Sequence, residues 1–161
     1  MSCGRTRIAH ITGDPSYSAA RDRAEGVLAA LADAGLALVG KIAYGAWSEG
    51  WGRAATAMLL DQHPEVDAIF CGSDLVARGV MDTLRERGRE VPGDIAVLGF
   101  DNWKVLSTNA RPPLTSIDMN LEELGRTAAR ALFAALDGGR RSGVEALPCR
   151  VVLRGSTAPV G

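Results

Sequence analysis

The stretch AIFCGSDLVARGVM, Ala68 to Met81, decides the fold. It opens on an apolar run containing Ile69 and Phe70, the β-branched and aromatic types that fit a pleated surface. Gly72-Ser73-Asp74 breaks that run. Ala77, Val80, Met81 and Leu84 then recur at the spacing of one helix face, and Gly88 closes the helix. A buried strand therefore turns directly into a helix and delivers the carboxylate of Asp74 to the turn. VLGFDNW, Val97 to Trp103, repeats the arrangement with Asp101 after its apolar run. Two strands that each end on an aspartate point to one sheet edge built to hold something polar.

The same alternation runs outward from this stretch. RIAHIT (Arg7 to Thr12) is a short apolar run stopped by Gly13-Asp14-Pro15. Ala24, Val27, Leu28 and Leu31 follow at helical spacing, with Gly35 at the closing position. LALVGKIAY (Leu36 to Tyr44) reads as a second strand. After the GAWSEGWG loop, Ala54, Ala57, Met58 and Asp61 mark a second helix. DAIFC (Asp67 to Cys71) is the third strand and IAVLGF (Ile95 to Phe100) the fourth, continuous in apolarity and so expected to be buried on both faces. The order predicts an α/β fold, an open, mainly parallel twisted sheet with helices on both faces. Ligands in such sheets bind at the carboxyl edge, where Asp74 and Asp101 both lie. Beyond Trp103, RPPLTSI is a β-prone segment behind a Pro-Pro pair. Asn120 with Glu123 reads as a capping box, opening a helix with Leu121, Leu124, Ala128, Leu132 and Leu136 on one side. DGGRRSG (Asp137 to Gly143) is a flexible loop, and LPCRVVLRGST ends the chain as a strand.

Composition narrows the function classes. The chain has 161 residues, 47% hydrophobic and 23% charged, with a formal net charge of −1. That suits one globular domain and lacks the basic excess of a nucleic-acid-gripping module. Cys3, Cys71 and Cys149 are an odd number without C-x-x-C spacing, so neither a metal cluster nor a disulfide framework is expected, and Cys71 reads as a small buried residue. No secretory h-region and no membrane-length apolar stretch is present, which predicts a soluble cytoplasmic protein. His10 and His63 share no ligand spacing, and no nucleophile elbow, phosphate loop or dinucleotide fingerprint occurs. An enzyme reading, and any cofactor, has little to stand on.

Each candidate side chain has two readings. Arg21 falls in line with Ala24, Leu28 and Leu31. It is either a snorkelling or ion-paired arginine, or a guanidinium reaching over the sheet edge to a polar ligand. Asp74 caps the third helix or contacts a ligand, and Asp101 forms a turn with Asn102 or does the same. Aspartate and arginine bind neighbouring sugar hydroxyls in pairs. Trp47 and Trp51, in a Gly-rich loop, pack there or present an aromatic face to a sugar or base.

These segments, with VPGDIAVLGFDN and PPLTSI at this spacing, resemble the effector-binding core of LacI/GalR-type transcriptional repressors, from about Arg5 to Thr157. The resemblance implies a periplasmic-binding-protein-like sensor of a small effector, a sugar or nucleoside, in a homodimer that binds operator DNA through an N-terminal helix-turn-helix. Carried over residue by residue, Arg21 matches the effector-contacting arginine, Trp47 the ring-packing position and Asp101 the hydroxyl-binding carboxylate. Ser73 stands where relatives commonly have asparagine, Asp74 matches the aspartate after it, and Met119 replaces a polar pocket residue in some relatives.

The departures lie at the start of the chain. No helix-turn-helix precedes Arg5, and the resemblance is to the second, C-terminal subdomain only. The expected organisation is residues 5–114 as that subdomain, 115–143 as a crossover and helix that would pack on a first subdomain, and 144–157 as a returning strand. A fragment of a longer regulator is expected, one that dimerises, with exchange of its C-terminal helix and strand as one open route. The other reading that shares this fold is a sugar-binding protein feeding a transporter.

Overall fold

The computed structural model describes residues 4–139 and 142–157. Six strands, β1 (Ile8–Thr12), β2 (Ala43–Tyr44), β3 (Ala68–Cys71), β4 (Ala96–Phe100), β5 (Thr115–Asp118) and β6 (Arg150–Val152), form one sheet in the order β2-β1-β3-β4-β5-β6. All neighbours run parallel except the last, where β6 returns antiparallel to β5. Five helices accompany them: α1 (Ser18–Asp33), α2 (Glu49–Gln62), α3 (Asp74–Glu86), the single turn α4 (Lys104–Ser107) and α5 (Leu121–Leu136). The α/β fold with a mainly parallel sheet is therefore as read from the sequence.

Register explains the two faces. Ala9, Ile69 and Val97 sit side by side across β1, β3 and β4. They pack with Val76, Val80 and Leu84 of α3 and Ala55 and Leu60 of α2 into the main core. The alternate row, His10, Phe70 and Leu98, points to the other face, as a period of two requires. There α1 covers the sheet through Ala20, Ala24 and Leu31, all buried. Gly35 and Gly88 close α1 and α3 with φ of +68° and +67°, and Cys71 is fully buried. His10 is buried beneath this layer, stacked on Phe70 at 4.7 Å, and burial lowers its pKa.

Several expectations change in the structure. The second strand shrinks to Ala43–Tyr44. The second helix begins inside the tryptophan loop at Glu49, and its buried face is Gly52, Ala55, Thr56 and Leu60, whereas Met58 is half exposed. The apolar period there was set on the opposite side of the helix, about half a turn away. β4 is not closed on both faces: Leu98 and Phe100 line an open apolar groove of about 870 Å³ together with Val27, Leu31, Ile117 and Met119. Thr115–Asp118 is a strand of the sheet, so the sheet runs past residue 114, where the first unit was expected to end. No capping box forms on α5. Asn120 is left-handed (φ 55°) with no side-chain cap bond, and its amide donates to Asp118 Oδ1. Glu123 instead faces Arg126, Thr127 and Arg130. Cys3 and part of the 137–143 loop lie outside the described residues.

Helix α5 buries none of its residues, and Leu132, Phe133 and Leu136 are 61%, 66% and 74% exposed. The core lies between the sheet and α2–α3, so Leu84→Ala should cost about 2–5 kcal/mol in urea unfolding, as the loss of a fully buried leucine does.

Candidate functional site

Parallel pairing sends the ends of β1, β3 and β4 to the same edge, and their loops meet in a cavity of about 290 Å³. Tyr17, Ala19 and Arg23 enter it from the first turns around α1, and Trp47 from the loop before α2. Ser73 and Leu75 come from the start of α3, and Asp101 and Trp103 from the loop after β4.

Arg23 is the centre of this arrangement. Its guanidinium lies over the Phe100 ring at 3.8 Å and faces Trp47 at 5.4 Å, both cation–π distances. Nη1 donates to the Gly72 carbonyl at 2.6 Å, and Nη2 stands 3.6 Å from Asp101 Oδ1. The two charged side chains are only 15% and 18% exposed. Burial dominates both. It pushes the Asp101 carboxyl up to about 6, with Arg23 opposing and Asp74 adding to the rise, and it lowers the Arg23 pKa despite the facing carboxylate. Asp101 makes an ion pair with no side-chain hydrogen bond among the described residues, and its backbone is held at φ 103°. That conformation costs a non-glycine residue about 1–3 kcal/mol. A buried, strained carboxylate opposite a desolvated guanidinium can accept from one polar group of a ligand while the arginine donates to another.

Trp47 reaches the cavity because residue 13 has no side chain. A Cβ at Gly13 would fall inside the Trp47 ring. Trp51, the other tryptophan of that loop, is structural: it packs on the core, and its indole N–H donates to the Thr12 carbonyl at 2.9 Å.

The sequence-derived candidates separate. Trp47, Ser73 and Asp101 line the cavity. Arg21 does not. It is exposed and donates to the carbonyls of Pro15 and Ser16. The buried stripe of α1 is Ala20, Ala24 and Leu31, while Leu28 is 45% exposed. Including Leu28 in the stripe rotated the face and selected Arg21 in place of Arg23, two residues on. Asp74 is neither the helix cap nor a lining residue: Ser73 caps α3 by accepting from the Val76 amide, and Asp74 is fully buried behind the cavity. Met119 lines the apolar groove, with its sulfur 3.8 Å from Arg23 Nη2. Tyr17, Leu75 and Trp103 had no sequence signal beyond lying at or just before helix starts. Among the described residues, no cluster of three or more His, Cys, Asp or Glu could hold a metal ion, and no helix is long and apolar enough to cross a membrane.

The Asp101 carboxyl gives a signed prediction. Its folded-state pKa lies above the unfolded value near 3.8, so folding binds its proton more tightly, and this stabilisation is full below about pH 4 and lost as pH rises to about 6. Asp101→Asn should therefore gain on the wild type between pH 4 and 6, by up to roughly 3 kcal/mol, with a constant difference above. Urea unfolding across that range checks it.

Known proteins with this geometry are informative. Residues 1–157 match the family model described as periplasmic binding protein-like domain. The transcriptional regulator CelR of Thermobifida fusca is 38% identical over 86% of this chain and 41% of its own length. The repressor CytR of Escherichia coli K12 is 33% identical over 96% of this chain and 46% of its own. A solved CelR–cellobiose complex superposes with a TM-score of 0.83 at 36% identity, over 95% of this chain and 47% of that one. A lac repressor dimer bound to operator and an anti-inducer superposes at 0.87 and 30% identity, over 96% and 46%. This chain thus spans about half the length of the relatives it matches. It belongs to the periplasmic-binding-protein-like domain family, and its relatives there are LacI-family transcriptional regulators.

Proposed function

We propose that the cavity at the carboxyl edge binds a small polyhydroxyl effector, a sugar or nucleoside, and that the chain is the effector-sensing and dimerising part of a LacI-type transcriptional regulator in the cytoplasm. The observation that carries this reading is the Arg23–Asp101 pair, buried at 3.6 Å beside Trp47. A carboxylate and a guanidinium offer an acceptor and a donor to adjacent hydroxyls, while an indole face covers the C–H side of a ring. In this reading Arg23 replaces Arg21 as the effector arginine, Ser73 and Trp103 border the ligand, Asp74 stands behind it and Met119 adjoins it. The cellobiose bound in the CelR structure supports a sugar, and regulators among the relatives favour this reading over a transporter's binding protein. Operator recognition is assigned to the part of such regulators that this chain does not span. A ligand that prefers one conformation shifts its population and so the dimer's affinity for DNA.

A thermal-shift screen of mono- and disaccharides, cellobiose included, and of nucleosides tests the site. A ligand at about a hundred times its Kd adds about 2.7 kcal/mol, which raises Tm by roughly 5–10 °C in a chain of this size. The shift should vanish in Arg23→Gln and Asp101→Ala and persist in Arg21→Gln. The reverse pattern for the two arginines sinks the site as drawn.

The homodimer is proposed through α5, whose apolar residues lie exposed while Glu122, Glu123, Arg126 and Arg130 pair among themselves. An uncovered face of this kind favours self-association. Light scattering should give twice the chain mass for the wild type and the chain mass for Leu132→Glu; an unchanged dimer in the variant would move the interface elsewhere.

A further inference from the structure

The turn that presents Asp101 is held at every amide. Asp101 and Asn102 are consecutive left-handed residues, φ 103° and 56°, a conformation side chains avoid unless their surroundings enforce it. The Asp101 amide donates to the Ile117 carbonyl at 2.9 Å. The Asn102 amide donates to Ser116 Oγ at 3.0 Å, and the Trp103 amide to Asp74 Oδ2 at 2.8 Å. The remaining Asp74 oxygen accepts from Ser116 Oγ at 2.5 Å, so the two buried side chains form one bracket under the turn. Asp74 reaches that position because residue 99 is glycine; a Cβ there would collide with Asp74 Oδ1. From the other side Arg154 donates to Asn102 Oδ1 and to the Leu114 carbonyl, both at 2.7 Å.

A carboxylate buried merely to cap a helix would satisfy α3's own amides, and Ser73 already does so. Asp74 spends both oxygens on the neighbouring strand and loop. We propose that Asp74 and Ser116 are positioning residues for the Asp101 carboxylate, acting through the backbone of Asp101–Trp103 and touching no ligand. The proposal rests on the effector reading for its consequence in binding, but the positioning itself is a property of the ligand-free protein.

The charged groups around Asp101 are Arg23 from α1 and Asp74 from α3, with Tyr17 sharing the cavity and Arg154 lying against Asp74. Ser116→Ala removes none of these groups but takes from Asp74 the hydrogen bond that holds its carboxyl down, so the Asp74 carboxyl resonance is followed alongside. A fall at Asp101 with the Asp74 midpoint unchanged supports positioning, and one that tracks an Asp74 shift overturns it. Thr56→Ala is the control, since Thr56 is an equally buried hydroxyl on α2 that donates to the Gly52 carbonyl, remote from the turn. The readout is the Asp101 carboxyl ¹³C resonance from pH 3 to 8, identified by its loss in Asp101→Asn. A released turn lets water reach Asp101, so its midpoint should fall by about one unit or more in Ser116→Ala and stay near 6 in the wild type and Thr56→Ala. Cellobiose, or whichever sugar the wild type binds, should bind Ser116→Ala about tenfold more weakly, the loss of one charge-assisted hydrogen bond's positioning. An unchanged midpoint in Ser116→Ala, with a stability loss matching Thr56→Ala, overturns the proposal. If no sugar binds the wild type, the effector reading fails while the midpoint still decides the positioning.

Discussion

Parallel pairing of β1 through β5 is the constraint on which the rest depends. Strands that all point one way deliver every following loop to one edge, and five-strand pairing leaves no freedom in which edge that is. Parallel connections cross over in a right-handed sense. Stepping outward from β1 to β2 puts α1 on one face, and stepping back through β3 and β4 puts α2 and α3 on the other. The dense core then forms on the α2–α3 side, where the row Ala9, Ile69 and Val97 is covered continuously. The α1 side is covered only over the left of the sheet, and the apolar groove beside it is the direct consequence of having one helix where the opposite face has two.

The same edge concentrates charges that water would otherwise solvate. Arg23 and Asp101 lie within a few ångströms, yet burial shifts both toward their neutral forms. A close hydrogen-bonded pair would have offset that desolvation; a pair held at 3.6 Å without such a bond does so incompletely. The protein therefore stores unfavourable free energy at the cavity, in desolvated charge and in left-handed backbone. Such storage persists because the surrounding structure over-determines it, and the bracket of Asp74, Ser116 and Arg154 is what over-determines this turn.

Helix α5 obeys a different balance. Its charged side is satisfied locally by pairs three, four and seven residues apart, and alanine-rich composition favours the helix intrinsically. Its other side is apolar, and no residue on it is buried. Local preference supports this helix, and none of its residues is buried against the rest of the fold.

What the sequence determined by itself follows from local patterning. The strand–turn–helix alternation, the closing glycines at 35 and 88, the buried stripe of α3 and the carboxyl-edge location of Asp101 were all legible, because periodicity and turn chemistry act within a few residues. The faces of α1 and α2 were not legible. Alanine and leucine surround both helices, so several stripes fit the same apolar spacing, and only packing against the sheet chose Ala20–Ala24–Leu31 over a stripe through Leu28. That rotation exchanged Arg21 for Arg23. The role of Asp74 was equally out of reach, since its partners Ser116 and Trp103 are distant in sequence and meet it only across β4 and β5. Contacts between elements, rather than patterns within them, decided which of the charged residues face the cavity and which hold it in shape.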